Sequence, residues 1–185
     1  MSESESAPAP LPLDKAPWTI KAHTVGNSGL AGTLKASAGD LKALAAALDL
    51  IRCDRLTVTY RVKPIGRDRF KASGRIDADL VHPCIVTLEP VPESIREEFS
   101  VEFWPAEEVG EDLPEGEITL DADEPERMEH GEIALGRLVY ELIAVAMDPF
   151  PRSPGADAAE AELLRDQPKP DSPFAALKKL KKPED

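Results

Sequence analysis

Apolar and polar residues alternate most regularly between residues 56 and 80. In the first half, every second residue is apolar: Leu56, Val58, Tyr60 and Val62. The alternation resumes from Phe70 to Leu80 after the turn sequence PIGRD. A two-residue period places alternate side chains on opposite faces of a strand, and Pro and Gly mark the turn. The pattern therefore predicts a long β-hairpin with one apolar and one polar face.

Shorter patterns before the hairpin predict two strands and a helix. The sequence PWTIKAH alternates like a half-buried strand, and Leu34 and Ala36 indicate a second short strand. Asp40 is a predicted N-cap because its side chain can accept from the first free N–H groups of a helix. Apolar residues at helical spacing follow it, and the helix is expected to end near Leu50.

The segments after the hairpin predict three further strands. CIVTL at 84–88 is a short apolar run of strand type, and EITLD at 117–121 is another. Between them, residues 95–103 alternate strictly, with Glu97 as the one charged residue on the apolar parity. We therefore expect the strand to enter the core from Phe99 onward.

Two helices are predicted near the C-terminus. Apolar residues recur at i, i+3, i+4, i+7, i+8 and i+11 from Leu135 to Ala146, and Asp148 and Pro149 end the pattern. The sequence PFAALKKLKK predicts a short amphipathic helix at about 172–182.

Together these elements predict an α+β fold. We expect a twisted antiparallel sheet of about six strands, open or curled into a partial barrel, with two helices packed on its apolar face. The predicted organisation is a disordered lead-in at 1–16, one domain at 17–154 and a mobile tail at 155–185. The acidic N-terminus lacks a targeting pattern and the longest apolar run is too short to span a bilayer, so a cytoplasmic location is expected.

Charge is unevenly distributed along the chain. The formal net charge is −13, and residues 89–132 hold 17 acidic and two basic residues, whereas residues 52–75 hold eight basic and two acidic ones. The total argues against nucleic acid as a partner, but the basic segment changes this picture. Five of its side chains would project from the polar face of the hairpin: Arg61, Lys63, Arg69, Lys71 and Arg75.

The basic hairpin face has two interpretations. The five cations resemble a surface that contacts phosphates, although no exposed aromatic residue accompanies them for base stacking. Alternatively, they pair with carboxylates of the following strand, such as Glu98 and Glu102, at about 0.2–1 kcal/mol per pair. The sequence leaves both interpretations open.

No catalytic residue, metal ligand or cofactor is predicted. Cys84 follows His82 by two residues, but a reactive cysteine needs a lowered pKa and a partner base. A structural, buried cysteine is therefore favoured here and at Cys53. Phosphate-binding glycine motifs and the GxSxG nucleophile motif are absent from the sequence, and nothing in it indicates a small-molecule substrate.

Three segments, taken in order, resemble the YceD family in the form found in alphaproteobacterial members. They are LVHPCIVTLEPVPESIREEFSVEFWP, GEIALGRLVYELIAVAMDPFPRSPGA and SPFAALKKLKK. The more widespread family pattern has Cys-x-x-Cys before the long strand and a later cysteine pair, but here Val81 replaces the first cysteine and none follows Cys84. A metal or redox role of those pairs therefore does not carry over.

The resemblance implies a non-enzymatic ribosome-assembly factor that supports accumulation of large-subunit ribosomal RNA. Such a factor would bind precursor ribosomal RNA through the basic hairpin face, a basic ribosomal protein through its acidic residues, or both. The alternative is an acidic protein-binding module without RNA contact. Predicted protein-binding residues come from the acidic segment and the tail: Glu107, Glu108, Glu111, Asp112, Phe174 and Leu177.

Overall fold

A computed structural model describes Leu13, Lys15 and residues 17–109 and 125–166. Its strands are β1 (Ile20–Lys21), β2 (Leu30–Lys35), β3 (Arg52–Gly66), β4 (Arg69–Pro83), β5 (Pro90–Pro105), β6 (Glu126–Met128) and β7 (Glu132–Ile133). Its α-helices are α1 (Ala38–Ala47), α2 (Leu135–Ala146) and α3 (Ala156–Asp166), and Ala22–Thr24 form one 3-10 turn.

Five strands form the main sheet in the order β2-β3-β4-β5-β6, and β1 pairs with β7 in a separate two-stranded sheet. Neighbouring strands are antiparallel except for β5 and β6, which are parallel. Within the described residues the edge strands β2 and β6 do not pair with each other, so the sheet does not close into a barrel. The predicted α+β class is confirmed.

The predicted hairpin is confirmed as β3 and β4, with Val58 opposite Ile76 and Val62 opposite Ala72. β4 also pairs with β5 from Phe70 to Pro83, so it is flanked on both sides along nearly its whole length. This double pairing fixes which residues of the three long strands lie on each face, because a shift of one residue would exchange the faces.

The core lies on the apolar face of the main sheet. β3 and β4 bury Val58, Val62, Ala72, Ile76 and Ala78 completely. α2 has the predicted boundaries and adds Leu135, Leu138, Val139 and Ile143 to the same cluster, while α1 adds Leu44 and Ala45. Burial of these aliphatic side chains is the main source of stability.

The start of α1 differs from the prediction, because Ser37 is the N-cap and Asp40 lies three residues inside the helix. Oγ of Ser37 accepts from the Asp40 N–H at 3.2 Å, and the Ser37 N–H donates to Oδ2 of Asp40 at 2.9 Å, which completes a capping box. Nε1 of the buried Trp18 donates to the same carboxylate at 3.4 Å. Burial raises the pKa of Asp40, but the donors from Ser37 and Trp18 outweigh this effect and lower the pKa below its usual value.

The predicted strand at 84–88 is wrong, because these residues form the turn between β4 and β5. The Cys84 N–H donates to the Glu89 carbonyl at 2.8 Å, and the Leu88 N–H donates to the Cys84 carbonyl at 3.0 Å. Leu88 adopts a φ of 61°. An apolar run of five residues does not distinguish a strand from a buried turn when the burial comes from a single residue, here Cys84.

β5 enters the core earlier than predicted. Ile95 is buried opposite Ala78, four residues before Phe99. Glu97 shares the parity of Ile95 and Phe99 but is exposed. The layer that covers the core therefore does not extend over Glu97.

Several predicted segments lie outside the described residues, namely the strand at 117–121, the helix at 172–182 and all of the lead-in except Leu13 and Lys15. Leu13 itself is buried in the core cluster. Helix α3 was not predicted, because its apolar residues are mainly alanine.

Gly74 on β4 tests the packing of the sheet, because a Cβ added there would lie 2.9 Å from Cζ of Phe99 and would overlap the Thr59 carbonyl. We expect Gly74→Ala to lower the free energy of unfolding by about 1–3 kcal/mol, measured by urea denaturation. Gly66→Ala is the matched control, since a Cβ there meets nothing within 4 Å, and should change stability by less than about 0.5 kcal/mol. Equal losses in the two variants would contradict the packing described here.

Candidate functional site

The face of the main sheet opposite the core carries polar side chains from four neighbouring strands. Alternation along β2 and β3 places Lys35, Thr57, Thr59, Arg61 and Lys63 there, and all but the half-buried Thr57 are exposed. β4 and β5 continue the same face with alternating hydroxyl, basic and acidic residues. We call this surface the polar face.

The structure brings the predicted basic residues together on this surface. Arg61 lies opposite Ser73, and Lys63 lies directly opposite Lys71 on the neighbouring strand. Arg75 lies opposite Thr59, further along the same two strands. Arg69 begins β4, next to the hairpin turn.

Arg69 is held by the protein itself. Its Nε donates to Oε2 of Glu108 at 2.7 Å, and its guanidinium lies 3.7 Å from the ring centroid of Trp104. Arg69 is only half-exposed. These contacts leave it less available to a phosphate than the sequence pattern suggested, and they also occupy the predicted protein-binding residue Glu108.

Lys71 and Arg75 have weaker acidic partners. Nζ of Lys71 lies 4.0 Å from Oε1 of Glu102 on β5, and a guanidinium nitrogen of Arg75 lies 3.4 Å from Oδ1 of Asp77. All four side chains keep at least a quarter of their surface exposed. Exposed pairs of this kind contribute about 0–1 kcal/mol, so a polyanion could displace them.

Arg61 and Lys63 form no ion pair or side-chain hydrogen bond with any described residue. Of the other exposed cations without such a partner in the described residues, Lys35 lies on the adjoining strand β2 and Arg67 lies in the hairpin turn. Neither Lys35 nor Arg67 was predicted as a site residue, although alternation along β2 already places Lys35 on the same face as Arg61. We call Lys35, Arg61, Lys63 and Arg67 the basic strip.

The other half of the polar face has a different charge. On β4 and β5, Asp77, Asp79, Glu98 and Glu102 accompany Lys71, Arg75 and Arg96. Arg55 of β3 donates to Asp79 at 2.7 Å and thereby joins this neutralised region. The polar face is therefore basic along β2 and β3 and close to neutral or acidic along β4 and β5.

The predicted protein-binding residues are described only in part. Glu107 is exposed in the turn after β5, and Glu108 pairs with Arg69. Glu111, Asp112, Phe174 and Leu177 lie outside the described residues.

Cys84 lies in a nest of backbone N–H groups and is fully buried. Its Sγ accepts from Val86 and Thr87 at 3.5 Å and from Ser153 at 3.3 Å. Burial raises the pKa of the thiol, but the donors from Thr87 and Ser153 outweigh it and lower the pKa to about 6. The nest joins the β4–β5 turn to the segment that precedes α3.

His82, next to this turn, is buried and bonded to a carboxylate rather than to the cysteine. Its Nε2 lies 2.7 Å from Oε2 of Glu93, and the Asp148 N–H donates to both carboxylate oxygens at 3.1 and 3.3 Å. Glu93 thus ties the segment after α2 to β4 and β5. These contacts indicate a structural role.

The described part of the chain contains no group of three or more His, Cys, Asp and Glu residues placed to hold a metal ion. None of the described helices is long and apolar enough to cross a membrane.

Comparison with known protein families gives one match. The model of a family described as "Large ribosomal RNA subunit accumulation protein YceD" matches residues 72–181, which is more than half of the chain. No curated protein and no solved structure matches the chain. The matched range includes β5, the Cys84 nest, α2 and β4 from residue 72 onward, but none of β3.

The Cys84 nest leads to a stability prediction. Cys84→Ala should lower the free energy of unfolding more than Cys53→Ala, because it leaves one buried and two partly buried N–H donors without an acceptor. Cys53 is the matched control, since its buried thiol has one long contact, 3.6 Å to the Arg55 carbonyl. Guanidinium denaturation measures both, and equal losses would argue against the nest.

The same thiol should make stability depend on pH. A folded pKa of about 6 against the ordinary value of 9.0 means that the unfolded chain binds more protons between these values. Stability from this group is therefore complete above about pH 9 and is lost as the pH falls through about 6. The rise in unfolding free energy between pH 6 and 9 should be smaller in Cys84→Ala than in the wild type, and an unchanged rise would assign it to other groups.

Proposed function

The chain belongs to the YceD family, which is associated with accumulation of large-subunit ribosomal RNA, and from this premise we propose how it acts. It is a non-enzymatic ribosome-assembly factor that binds precursor large-subunit ribosomal RNA through the basic strip. The observation that carries the proposal is that Arg61 and Lys63 are exposed on the polar face without an acidic partner in the described residues.

The arrangement of the cations supports contact with a polyanion. Lys63 and Lys71 lie directly opposite each other on paired strands, and like charges in such positions destabilise a sheet. A phosphate between them would remove this repulsion. The strip follows two adjacent strands, so it can contact successive phosphates of one RNA backbone.

The composition of the polar face suits backbone contact better than base recognition. The positions around Arg61 carry threonine, serine and alanine; the first two offer hydroxyl groups, and none of the three offers a stacking surface. Trp104 is engaged by Arg69. We therefore propose recognition of RNA shape and phosphates, with little dependence on sequence.

A reaction is not part of the proposal. A cavity of about 530 Å³ opens beside Phe103 and the start of α2. Its described lining includes glutamates, arginines and His130, but no serine, threonine, cysteine or lysine. The buried Cys84 lies elsewhere, and its Sγ accepts from the backbone N–H groups of Val86, Thr87 and Ser153.

Charge reversal of the basic strip tests RNA contact. Arg61→Glu combined with Lys63→Glu should weaken association with large-subunit precursors at least about tenfold and make the negative slope of log affinity against log salt shallower by about 1.5–2. Affinity is measured by filter binding at several salt concentrations, and association by sedimentation of cell extracts.

The matched control is Arg52→Glu combined with Arg55→Glu, which makes the same charge change on the same strand. Both residues already pair with the protein's own carboxylates, Asp54 and Asp79, at 2.8 and 2.7 Å. This control should retain most of the RNA affinity. Equal losses in both variants would mean that only total charge matters, and retained binding in the first would favour the module without RNA contact.

A further inference from the structure

β5 has an edge that no described residue covers. On one side it pairs with β4 from Phe103 back to Pro90, whereas on the other side β6 pairs only with Phe103, Trp104 and Pro105. Alternate residues of an antiparallel strand direct their N–H and C=O groups away from the partner. Between residues 90 and 102 those groups therefore point to an unpaired edge in the described structure.

Two prolines limit the part of this edge that can accept another strand. Pro90 and Pro92 lack an N–H donor and lie at the beginning of β5. Residues 93–102 follow without a further proline, which leaves about ten consecutive residues able to form a backbone ladder. Natural sheets usually keep their edge strands short or protect them, so an open edge of this length is unusual.

Unpaired carboxylates flank the middle of the edge on both faces. Glu97 and Glu98 are successive residues, so their side chains point to opposite faces. Both are exposed, and neither forms an ion pair or hydrogen bond within the described residues. Ile76 lies opposite Glu97 on β4 and is fully buried, whereas Glu97 is exposed. The residues that cover the core face of β4 therefore do not extend over β5 at this position.

We propose that the edge of β5 from Glu93 to Glu102 binds an extended, lysine- and arginine-rich segment of another protein as an added β-strand. Backbone hydrogen bonds would supply the pairing, as in other cases of strand addition. Cations at consecutive positions of the segment would meet Glu97 on one face and Glu98 on the other. A basic strand would pair with the open backbone groups and also with the two carboxylates, whereas a neutral strand would pair only with the backbone groups.

The two other occupants fit less well on charge. Residues 110–124 of the same chain contain seven acidic and no basic residues, and they would be repelled by Glu97 and Glu98. A second copy paired antiparallel about Glu97 would join Arg96 to Glu98 twice. It would also place Glu97 opposite Glu97 of the second copy. In addition, it would bring together two copies of residues 89–132, each with a net charge of −15.

The inference does not depend on RNA contact, because β5 lies on the opposite side of β4 from the basic strip. Arg61→Glu combined with Lys63→Glu should leave peptide binding unchanged. If the unmodified chain binds RNA but does not bind the peptide, this inference is overturned and the proposed RNA contact is not.

The experiment uses the full chain and a synthetic twelve-residue peptide with lysine or arginine at two of every three positions and valine at the third. Binding should protect backbone amides within residues 93–102 from hydrogen exchange. Glu97→Lys combined with Glu98→Lys should weaken the affinity, measured by calorimetry, at least about tenfold. The matched control Asp49→Lys with Glu162→Lys, two exposed residues in the turn after α1 and on α3, should retain it.

Two comparisons separate strand addition from its alternatives. A peptide with proline in place of valine keeps the charge but loses N–H donors, so equally tight binding would overturn strand addition. Arg96→Glu removes the one cation that would join two copies and adds a carboxylate for the peptide. Tighter peptide binding by this variant supports the inference, whereas a wild-type dimer that Arg96→Glu dissociates would overturn it.

Discussion

The structure depends on the position of β4 between two strands of similar length. Because β4 pairs with β3 on one side and β5 on the other, one register determines the faces of all three strands. The same constraint buries Val58 and Ile76 and exposes Arg61 and Lys71. The core and the candidate site are thus two consequences of one hydrogen-bond ladder, and a change of register would abolish both.

Local periodicity was sufficient to predict the parts of the fold that bury one regular face. The β3–β4 hairpin and the exact span of α2 follow from periods of two and 3.6 residues that continue over ten or more positions. The turn at 84–88 was mispredicted because its burial arises from contacts with Ser153, which a local pattern does not contain. Ser37 and Asp40 both favour helix starts, so the sequence placed the helix but not its first residue.

The candidate site was predictable in position but not in electrostatic state. Parity placed Arg61, Lys63, Lys71 and Arg75 on one face, as the structure shows. Which of them have acidic partners depends on the register between β4 and β5 and on the turn that carries Glu108, and neither follows from periodicity. The division of the polar face into a basic and a neutralised half became visible only through these pairs, and it separates the basic strip from the edge of β5 that Glu97 and Glu98 flank.

The pairing of β1 with β7 has a consequence for the order in which the protein can fold during its synthesis. Ile20 lies opposite Ile133, and the Gly136 N–H donates to the Trp18 carbonyl at 3.0 Å. Trp18 and Ile20 therefore reach their partners only after the more than 100 residues between them have been synthesised. Closure of such distant contacts is entropically slow, so the hairpin can form before Trp18 takes its place.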